Sequence, residues 1–297
     1  MMAENSGIEW THHTFNPWMG CTKVSPACKF CYAERDMDHR FGRVSWGPAG
    51  ARVVTSNANW RKPIQWDREA KEQGIRYRVF CASLADVFED WTSNMTYSDG
   101  QLGSATMQDI RSDLFRLIDA TPNLDWLLLT KRPENIRRMW EPFDWQAFGD
   151  MPRRPNVWLG TSVETAQYLG RIDALKASHG LCQNLFLSME PLLGHVSTLG
   201  EYLDGIDWVI AGGESGPEAR PTNPDWFRSV RDQCQAKNVP FFFKQWGEWA
   251  PYSDLLYERC KHVDTHAFDE EVNVFRVGKK QAGRLLDGVL HDDYPRQ

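Results

Sequence analysis

Three cysteines lie close together near the start of this 297-residue chain, at Cys21, Cys28 and Cys31. Six residues separate the first two and two residues separate the last two, on a loop that Gly20 opens and Pro26 stiffens. Thiolates at this density serve as disulfides, zinc ligands, redox pairs or iron–sulfur ligands. The spacing therefore predicts a functional cysteine site, and other features of the sequence are needed to distinguish these four alternatives.

The compartment and the number of ligands narrow these alternatives. Met1–Gly7 is short and polar and no apolar run reaches membrane-spanning length, so we expect a cytoplasmic protein with no signal peptide. A structural disulfide would be unusual there and would leave one cysteine unpaired. A thioredoxin-like motif needs no third cysteine. Zinc needs a fourth ligand, from His12, His13 or His39, whereas an iron–sulfur cluster on three cysteines leaves one iron open to a substrate or cofactor.

The elements that must position this loop alternate between apolar runs and helical stretches. Six short apolar runs are typical of strands buried on both faces: Tyr77–Ala82, Trp126–Leu129, Val157–Leu159, Leu185–Leu187, Trp208–Ala211 and Phe241–Phe243. Helices are predicted at Tyr32–Arg40, Met107–Ala120, Pro133–Trp140, Thr165–Ala177 and Pro224–Ala236. Arg43–Pro63 is predicted to be mostly loop, and Arg68–Glu72 a helical turn.

Strand followed by helix, repeated, predicts right-handed βαβ crossovers and a parallel sheet. With Ile8–Asn16 as the first strand, the count reaches about seven. We therefore predict an α/β fold with a parallel (β/α) barrel, complete or partial TIM-like, over residues 1–250. Residues 251–297 are expected to form a C-terminal extension packed on the barrel. A flat doubly wound sheet is the alternative.

Polar side chains come directly after each of the six apolar runs. In a barrel of this kind, the active site is built at the carboxyl ends of the strands. For any one of these residues a helix cap or an exposed loop group is the alternative, but together they predict one functional rim. They are Ser83 and Asp86, Thr130 with Lys131 and Arg132, Thr161 with Ser162 and Glu164, Ser188 with Glu190, Glu214 with Ser215, and Lys244 with Gln245.

Net charge and the absence of two phosphate-binding motifs disfavour some classes of function. The net charge of −6 gives no overall basic field that would draw the chain to DNA or to an anionic membrane. Local basic pairs could still bind phosphate, or could form a solvated face: Lys131–Arg132, Arg137–Arg138 and Arg153–Arg154. No G-x-G-x-x-G turn or P-loop is present, which disfavours nicotinamide and nucleoside-triphosphate chemistry. The other cysteines are predicted to be small buried apolar residues: Cys81, Cys182, Cys234 and Cys260.

The residues around the last two cysteines carry a resemblance to a known superfamily. Cys28-Lys-Phe30-Cys31, followed by Tyr32-Ala33-Glu34, resembles the end of the radical S-adenosylmethionine (radical SAM) cluster loop, although the usual first gap is three residues and here it is six. With the longer gap, the chain from Ile8 to Gly288 resembles a largely uncharacterised radical SAM-like family of phages and bacteria. The further motifs are Ile8-Glu9-Trp10-Thr11, Phe15-Asn16-Pro17, Ser83-Leu-Ala-Asp86, Thr130-Lys131-Arg132-Pro133, Glu190-Pro191-Leu-Leu-Gly194, Gly212-Gly213-Glu214-Ser215-Gly216 and Phe243-Lys244-Gln245-Trp246-Gly247.

The resemblance implies a cofactor set and a role for individual residues. Cys21, Cys28 and Cys31 would hold three irons of a 4Fe-4S cluster, and the fourth iron would chelate SAM. Reductive cleavage of SAM would then give a 5′-deoxyadenosyl radical that abstracts a substrate hydrogen. The cofactor-binding residues expected by analogy are Phe30 in the loop, Ser83 and Asp86 for the SAM amino group, Ser162 and Glu164 for its ribose or carboxylate, and Gly212 and Gly213 for close backbone approach.

Four residues are expected on the substrate side: Lys131, Glu190, Glu214 and Lys244. A buried carboxylate or lysine can act as acid or base when its pKa is tuned, and Lys131 with Arg132 could receive a phosphate or carboxylate. The alternative for Lys244 and one of the glutamates is a structural ion pair.

The resemblance also implies partners. These are a one-electron reductant of the flavodoxin or ferredoxin type and a small-molecule or nucleic-acid-base substrate, such as thymine in phage DNA, with host cytoplasm as the location if the chain is phage-encoded. Two other classes remain open. One is a zinc-binding nucleic-acid or protein-interaction module that uses the same cysteines. The other is a barrel hydrolase that uses Glu190 and Glu214 as paired carboxylates.

Overall fold

The structure is a computed structural model that describes residues 7–93, 95–98, 103–140, 151–251 and 263–296. One sheet contains seven strands, and their order in the sheet is their order in the chain. A doubly wound sheet reverses this order at a switch point, whereas barrel strands succeed one another without reversal. The predicted α/β fold is confirmed as a partial parallel (β/α) barrel. The strands are β1 (His13–Thr14), β2 (Tyr77–Cys81), β3 (Leu124–Thr130), β4 (Val157–Ser162), β5 (Asn184–Met189), β6 (Trp208–Gly212) and β7 (Phe241–Gln245).

The chain divides into two compact units. The first comprises Met1–Thr161 and Ala174–Leu185, and in it β1, β2, β3 and β4 pair in parallel through the row His13, Val79, Trp126 and Val157. The second comprises Ser162–Asp173 and Phe186–Gln297, and in it β5, β6 and β7 pair in parallel through the row Leu187, Val209 and Phe241. These strands are almost wholly buried, as the uninterrupted apolar runs predict.

The helices confirm most of the predicted ones. Their bounds are α1 Tyr32–Glu34, α2 Asn57–Gln73, α3 Met107–Asp119, α4 Ile136–Met139, α5 Gly170–Lys176, α6 Pro224–Ala236 and α7 Lys279–Ala282. Shorter 3-10 helices lie at Pro26–Cys28, Pro133–Asn135, Ala166–Tyr168 and Leu199–Tyr202, and a π-helix at Arg35–Arg40 continues α1. Within the described ranges, none of these helices combines the length and apolar character that crossing a membrane requires.

Helix α2 lies where the sequence predicts loop up to Pro63, and that prediction is wrong. The Ser56 hydroxyl accepts a hydrogen bond from the Asn59 N–H (3.4 Å), and Gly74 ends the helix with a φ of +66°. Trp66 and Ala70 are buried, so apolar packing holds the helix despite the proline in its interior.

Small sheets complete the two units. In the first, Trp18–Met19 pairs antiparallel with Val53–Val54, which pairs in parallel with Thr96–Tyr97. In the second, an antiparallel sheet contains Trp249–Pro251, Asn273–Arg276 and Thr265–Ala267, and a hairpin joins Leu285–Leu286 to Val289–Leu290. The predicted first strand at Ile8–Asn16 is reduced to β1, because the Thr11 N–H donates to Ile8 O (3.1 Å) and closes a turn.

Two adjacent histidines at the start of the sheet are kept uncharged by the fold. Nδ1 of His12 accepts a hydrogen bond from the Arg78 N–H (2.8 Å), and the His13 ring stacks on Trp66 with ring centroids 4.2 Å apart. Burial lowers the pKa of each imidazole from 6.5 to about 4. The unfolded chain therefore binds these protons below about pH 6.5, and the folded chain binds them only near pH 4.

The two uncharged histidines do not reduce the free energy of unfolding above pH 6.5. As the pH falls from 6.5 towards 4, protonation of the unfolded chain lowers that free energy. We expect His13→Phe, which keeps the stack on Trp66, to reduce the slope of unfolding free energy against pH in this window by about 1 kcal/mol per pH unit. Urea unfolding between pH 7.5 and pH 4.5 measures it, with exposed His39→Gln as the control. Equal slopes of unfolding free energy against pH for His13→Phe and the wild type would contradict this account.

Candidate functional site

The cysteine loop, residues Gly20–Cys31, begins where the Trp18–Met19 strand ends, beyond the carboxyl end of β1. Gly20 has a φ of +106°, and a Cβ there would lie 2.5 Å from the carbonyl oxygen of Ala51. Its N–H donates to Leu84 O (3.0 Å), in the segment that follows β2. A residue without a side chain is thus required at the start of the loop.

Thr22, the residue after the first cysteine, is held at its three polar groups by buried charges. Its N–H donates to Glu89 Oε1 (2.9 Å), its hydroxyl accepts from Arg52 Nη2 (2.8 Å), and its carbonyl accepts from Arg132 Nη2 (2.7 Å). Arg52 and Glu89 are themselves paired through two hydrogen bonds of 2.7 and 2.8 Å. The residue next to Cys21 is therefore fixed from three directions.

Asp86 completes this anchoring network, which we define as Arg52, Asp86, Glu89 and Arg132. Oδ2 of Asp86 accepts from Arg132 Nη1 (2.8 Å) and the Lys131 N–H (3.2 Å), and Oδ1 accepts from the Thr130 hydroxyl (2.7 Å) and the Phe88 N–H (3.0 Å). All four network residues are less than one-tenth exposed. Two positive and two negative charges thus neutralise one another beneath the loop.

The second and third cysteines belong to short helical turns. Cys28 ends the 3-10 helix, with its Sγ 3.7 Å from the Ser25 hydroxyl. Cys31 precedes α1, and its carbonyl accepts from the Arg35 N–H (3.0 Å). The Tyr32 hydroxyl donates to Ser83 O (2.9 Å), which ties α1 to the segment after β2.

Burial keeps the thiols of Cys21 and Cys31 protonated at neutral pH in the metal-free chain. Burial, with the carboxylates of Asp86 and Glu89, raises the pKa of Cys21 to about 12 against the opposing effect of Arg132. Burial also raises the pKa of Cys31, opposed by the N–H groups of Glu34 and Ala33 and by the Lys131 ammonium. Binding a metal at these thiols would therefore release protons.

The three cysteines are the donor set for the cluster that the resemblance implies. Cys21, Cys28 and Cys31 are free and partly buried, and they lie on one loop beyond the carboxyl end of a barrel strand. Among the described residues, however, no three His, Cys, Asp or Glu side chains are grouped closely enough to hold a metal ion. The set fits an iron–sulfur cluster by the chemistry of its donors, and closing the ligand shell requires the loop to bring the thiols together.

The histidines that could complete a zinc site are engaged elsewhere or point to solvent. Nδ1 of His12 accepts a backbone hydrogen bond, His13 stacks on Trp66, and His39 is exposed on the π-helix. The three remaining cysteines that the structure describes, Cys81, Cys182 and Cys234, are buried as predicted, and Cys260 lies outside the described residues.

The predicted residues of the first unit lie around the cysteine loop. Phe30 is half-buried within it, under the Lys29 ammonium at 5.0 Å. The Ser83 hydroxyl accepts from Asn16 Nδ2 (3.0 Å), and Lys131 lies within electrostatic reach of Cys31. Asp86, expected to bind the SAM amino group, has both oxygens occupied by hydrogen bonds within the chain.

In the second unit, the residues that follow β4 and β5 lie side by side. Glu164 is fully buried, with its Oε2 accepting from Arg171 Nη1 (2.9 Å). The carbonyl of Ser162 accepts a second hydrogen bond from the same Arg171 nitrogen (2.9 Å). The Val163 N–H donates to Ser188 O (3.0 Å), which joins the two strand ends. Arg171 therefore orients both of these predicted cofactor-binding residues.

A polar cluster joins the ends of β5 and β7. Nζ of Lys244 donates to Glu190 Oε1 (2.8 Å), and Gln245 Nε2 donates to Glu190 Oε1 (3.2 Å) and to the Ser215 hydroxyl (2.7 Å). Lys244 and Glu190 remain partly exposed, at 13% and 18% of their side-chain area. Oε1 of Gln245 is buried without a hydrogen-bond partner in the described chain. The cluster thus offers a lysine–glutamate pair and an unused amide acceptor.

The residues that follow β6 are more tightly bound within the fold. Both carboxylate oxygens of Glu214 accept from the Arg220 guanidinium, at 2.6 and 2.7 Å. A Cβ on Gly213 would lie 1.9 Å from the carbonyl oxygen of Trp246, whereas one on Gly212 would make only ordinary contacts at 3.4 Å. The close approach at Gly213 is therefore with the chain itself.

The basic pairs predicted as a possible phosphate site are largely engaged. Arg132 belongs to the anchoring network, Arg154 is paired with Asp119, Arg138 with Asp90, and Arg137 with Ala177 O. Arg52, Glu89 and Thr22 were not predicted from the sequence as part of this site. Arg52 and Glu89 are 37 residues apart in the chain, so no local sequence pattern predicts that they pair. The position of Thr22 next to Cys21 was the one sequence feature that could have indicated its role.

Comparison with known proteins gives one family match and distant structural likenesses. A family model described as a protein of unknown function (DUF5131) matches residues 5–295. No match was found among curated proteins. Two solved structures of spore photoproduct lyase, one with a tyrosine-to-phenylalanine substitution and one with a cysteine-to-alanine substitution and dinucleoside spore photoproduct, each align with 95% of this chain and 72% of their own. Each shows 11% identity and a TM-score of 0.46.

Proposed function

The chain belongs to the DUF5131 family, and we propose that it is a radical SAM enzyme. The observation that carries the proposal is the cysteine loop: three free thiols beyond the carboxyl end of β1 in a parallel (β/α) sheet. This edge of the sheet is where barrel enzymes build their active sites. The buried network beneath Thr22 supports the proposal, because it holds Cys21 from residues that follow β2 and β3.

In this proposal Cys21, Cys28 and Cys31 hold a 4Fe-4S cluster, beside Phe30. When bound, the cluster with SAM supplies a 5′-deoxyadenosyl radical that removes a hydrogen atom from the substrate. Ser83 in the first unit binds the SAM amino group. Asp86 acts there through Arg132, because its own oxygens are already occupied.

Further roles are proposed for residues of the second unit. Ser162 and Glu164, oriented by Arg171, bind the SAM ribose or carboxylate, and Gly212 admits backbone contact with the adenine or the substrate. The pair of Lys244 and Glu190 moves a proton, with Lys244 Nζ as the donating atom. Gly213 and Glu214 support this edge by packing and by the ion pair with Arg220, and Lys131 of the first unit attracts an anionic group of the substrate.

The proposed substrate is a nucleic-acid base or nucleotide, and the electron comes from a flavodoxin- or ferredoxin-type protein. Both follow from the family resemblance in the sequence. The unused Oε1 of Gln245 is suited to an N–H donor such as that of a base, since Glu190 and Ser215 already occupy its amide nitrogen.

The test is anaerobic purification and reconstitution with iron and sulfide, followed by electron paramagnetic resonance of the reduced protein with and without SAM. We expect a 4Fe-4S signal that changes with SAM, together with release of 5′-deoxyadenosine. Cys28→Ala should lower both the signal and the release by about 100-fold or more, because one cluster ligand is lost. Cys182→Ala, a buried cysteine outside the loop, is the matched control and should keep both.

A contrary outcome is equally clear. Stoichiometric zinc without iron, and no cleavage of SAM by the reconstituted wild type, would exclude radical chemistry. The cysteine loop would then belong to a zinc-binding module.

A further inference from the structure

We propose that Arg132 is the positioning residue that fixes Cys21 for cluster binding and tunes the cluster through the Cys21 sulfur. The inference rests on the proposed function and deepens it by assigning a role to a residue outside the ligand set. Arg132 lies at the carboxyl end of β3, 111 residues from Cys21 in the chain, yet Nη1 reaches the Cys21 sulfur at 3.8 Å.

The guanidinium joins three groups of the site at once. Nη2 donates to Thr22 O (2.7 Å), Nη1 donates to Asp86 Oδ2 (2.8 Å), and Nη2 lies 3.5 Å from Glu89 Oε1. Glu89 in turn accepts from the Thr22 N–H. Both backbone polar groups of Thr22 are thus held by the network, and Arg132 is the member that also contacts the thiol of the neighbouring residue.

Arg132 is itself held in one orientation by the end of β3. Its N–H donates to the Thr130 hydroxyl (2.9 Å), and that hydroxyl donates to Asp86 Oδ1 (2.7 Å). The strand end therefore orients the arginine and its carboxylate partner together. The end of β3 therefore fixes the position of the cysteine loop through side-chain hydrogen bonds.

The chemistry requires a guanidinium. Its planar fork binds Asp86, Thr22 and the sulfur simultaneously, whereas a lysine ammonium is a point charge on a flexible stem. An N–H aimed at a ligand sulfur also affects the redox potential of a cluster, since hydrogen bonds to sulfur stabilise the reduced form. Loss of Arg132 should thus loosen the loop and make the cluster harder to reduce.

Arg154 offers a matched control in the same unit. It is as deeply buried as Arg132 and forms two hydrogen bonds with Asp119, at 2.7 and 2.9 Å. It precedes β4 instead of following a strand, so it lies at the opposite edge of the parallel sheet from the cysteine loop. Replacing it removes the ion pair of a buried arginine with the exposed Asp119, and it leaves Thr22 untouched.

The first measurement uses the full-length metal-free chain. Hydrogen exchange of the segment 18–30, followed by mass spectrometry, is compared for the wild type, Arg132→Gln, Arg132→Lys and Arg154→Gln. We expect exchange in this segment to be at least about tenfold faster in Arg132→Gln, intermediate in Arg132→Lys, and unchanged in Arg154→Gln. Unchanged exchange in Arg132→Gln, or an equal rise in Arg154→Gln, would overturn the positioning role. If Arg132→Gln does not fold, Arg132→Lys decides between the same outcomes.

The second measurement is the midpoint potential of the reconstituted cluster, titrated by electron paramagnetic resonance. We expect a more negative potential in Arg132→Lys and a wild-type potential in Arg154→Gln. An unchanged potential in Arg132→Lys would overturn the tuning role. Wild-type protein that binds no cluster, with faster exchange in Arg132→Gln, would sink the radical SAM assignment and the tuning role while leaving Arg132 as the residue that positions the loop.

Discussion

Replacement of Glu89 by alanine is expected to lower the free energy of unfolding by about 3–5 kcal/mol. Glu89 is 2% exposed and its partner Arg52 is wholly buried, stacked on Trp91 at 4.0 Å. Removing the carboxylate leaves this guanidinium inside the protein without its paired charge, and it removes the acceptor of the Thr22 N–H. Chemical denaturation of the metal-free chain measures the loss.

A double substitution separates the ion pair from the packing. In Glu89→Ala with Arg52→Met, the uncompensated charge is gone, so the double variant should be more stable than Glu89→Ala alone. The surface pair of Arg138 and Asp90 is the control, because both side chains are more than half exposed. Asp90→Ala should change stability by less than about 1 kcal/mol. A loss in Glu89→Ala no larger than in Asp90→Ala would contradict the account of the network.

The second large effect is expected at Gly213. A methyl group there would meet the carbonyl oxygen of Trp246 at 1.9 Å and its carbon at 2.7 Å, and both are backbone atoms that cannot rotate away. We expect Gly213→Ala to lower the free energy of unfolding by about 3 kcal/mol, at the upper end of the range for overpacking. Thermal unfolding of the two alanine variants at Gly212 and Gly213 provides the measurement.

Gly212→Ala is the matched comparison, one residue earlier, at the last position of β6. Its Cβ would lie 3.4 Å from Gln245 O and from the Glu190 carboxylate carbon, which is ordinary contact. We expect a loss of about 1 kcal/mol or less there. Equal losses at the two positions would show that the approach of Gly213 to Trp246 is not the reason for this glycine.

The strands could be predicted because their signal is local. Short apolar runs such as Trp208–Ala211 and Phe241–Phe243 mark buried parallel strands, and the structure extends each by one or two residues. Helix α6 begins and ends at its predicted residues, since Asn223 and Pro224 mark its start. Only the helical turn at Arg68–Glu72 was predicted within α2. The first part of the helix was missed because Pro63 disfavours a helix, although tertiary packing overrides this preference.

The site was predictable to the extent that its chemistry is local. The spacing predicted the three cysteines as ligands, and the strand ends predicted Glu190 and Lys244 as site residues. The structure joins Lys244 Nζ to Glu190 Oε1 at 2.8 Å, and the roles of all five residues stay predictions. The anchoring network was not predictable, because its members come from segments that meet only in the folded chain. An arginine at position 52 in a stretch without clear pattern gives no sign that it will pair with Glu89.

The long separations in this network also determine when the cysteine loop becomes ordered during synthesis. Thr22 is held by Glu89, 67 residues later, and by Arg132, 110 residues later, so its backbone cannot be secured until β2 and β3 exist. At about 5–20 residues per second, a ribosome needs about 5–20 s to reach Arg132 after Thr22. Throughout that interval the nascent chain presents three unprotected thiols, so oxygen and stray metal ions compete with productive folding.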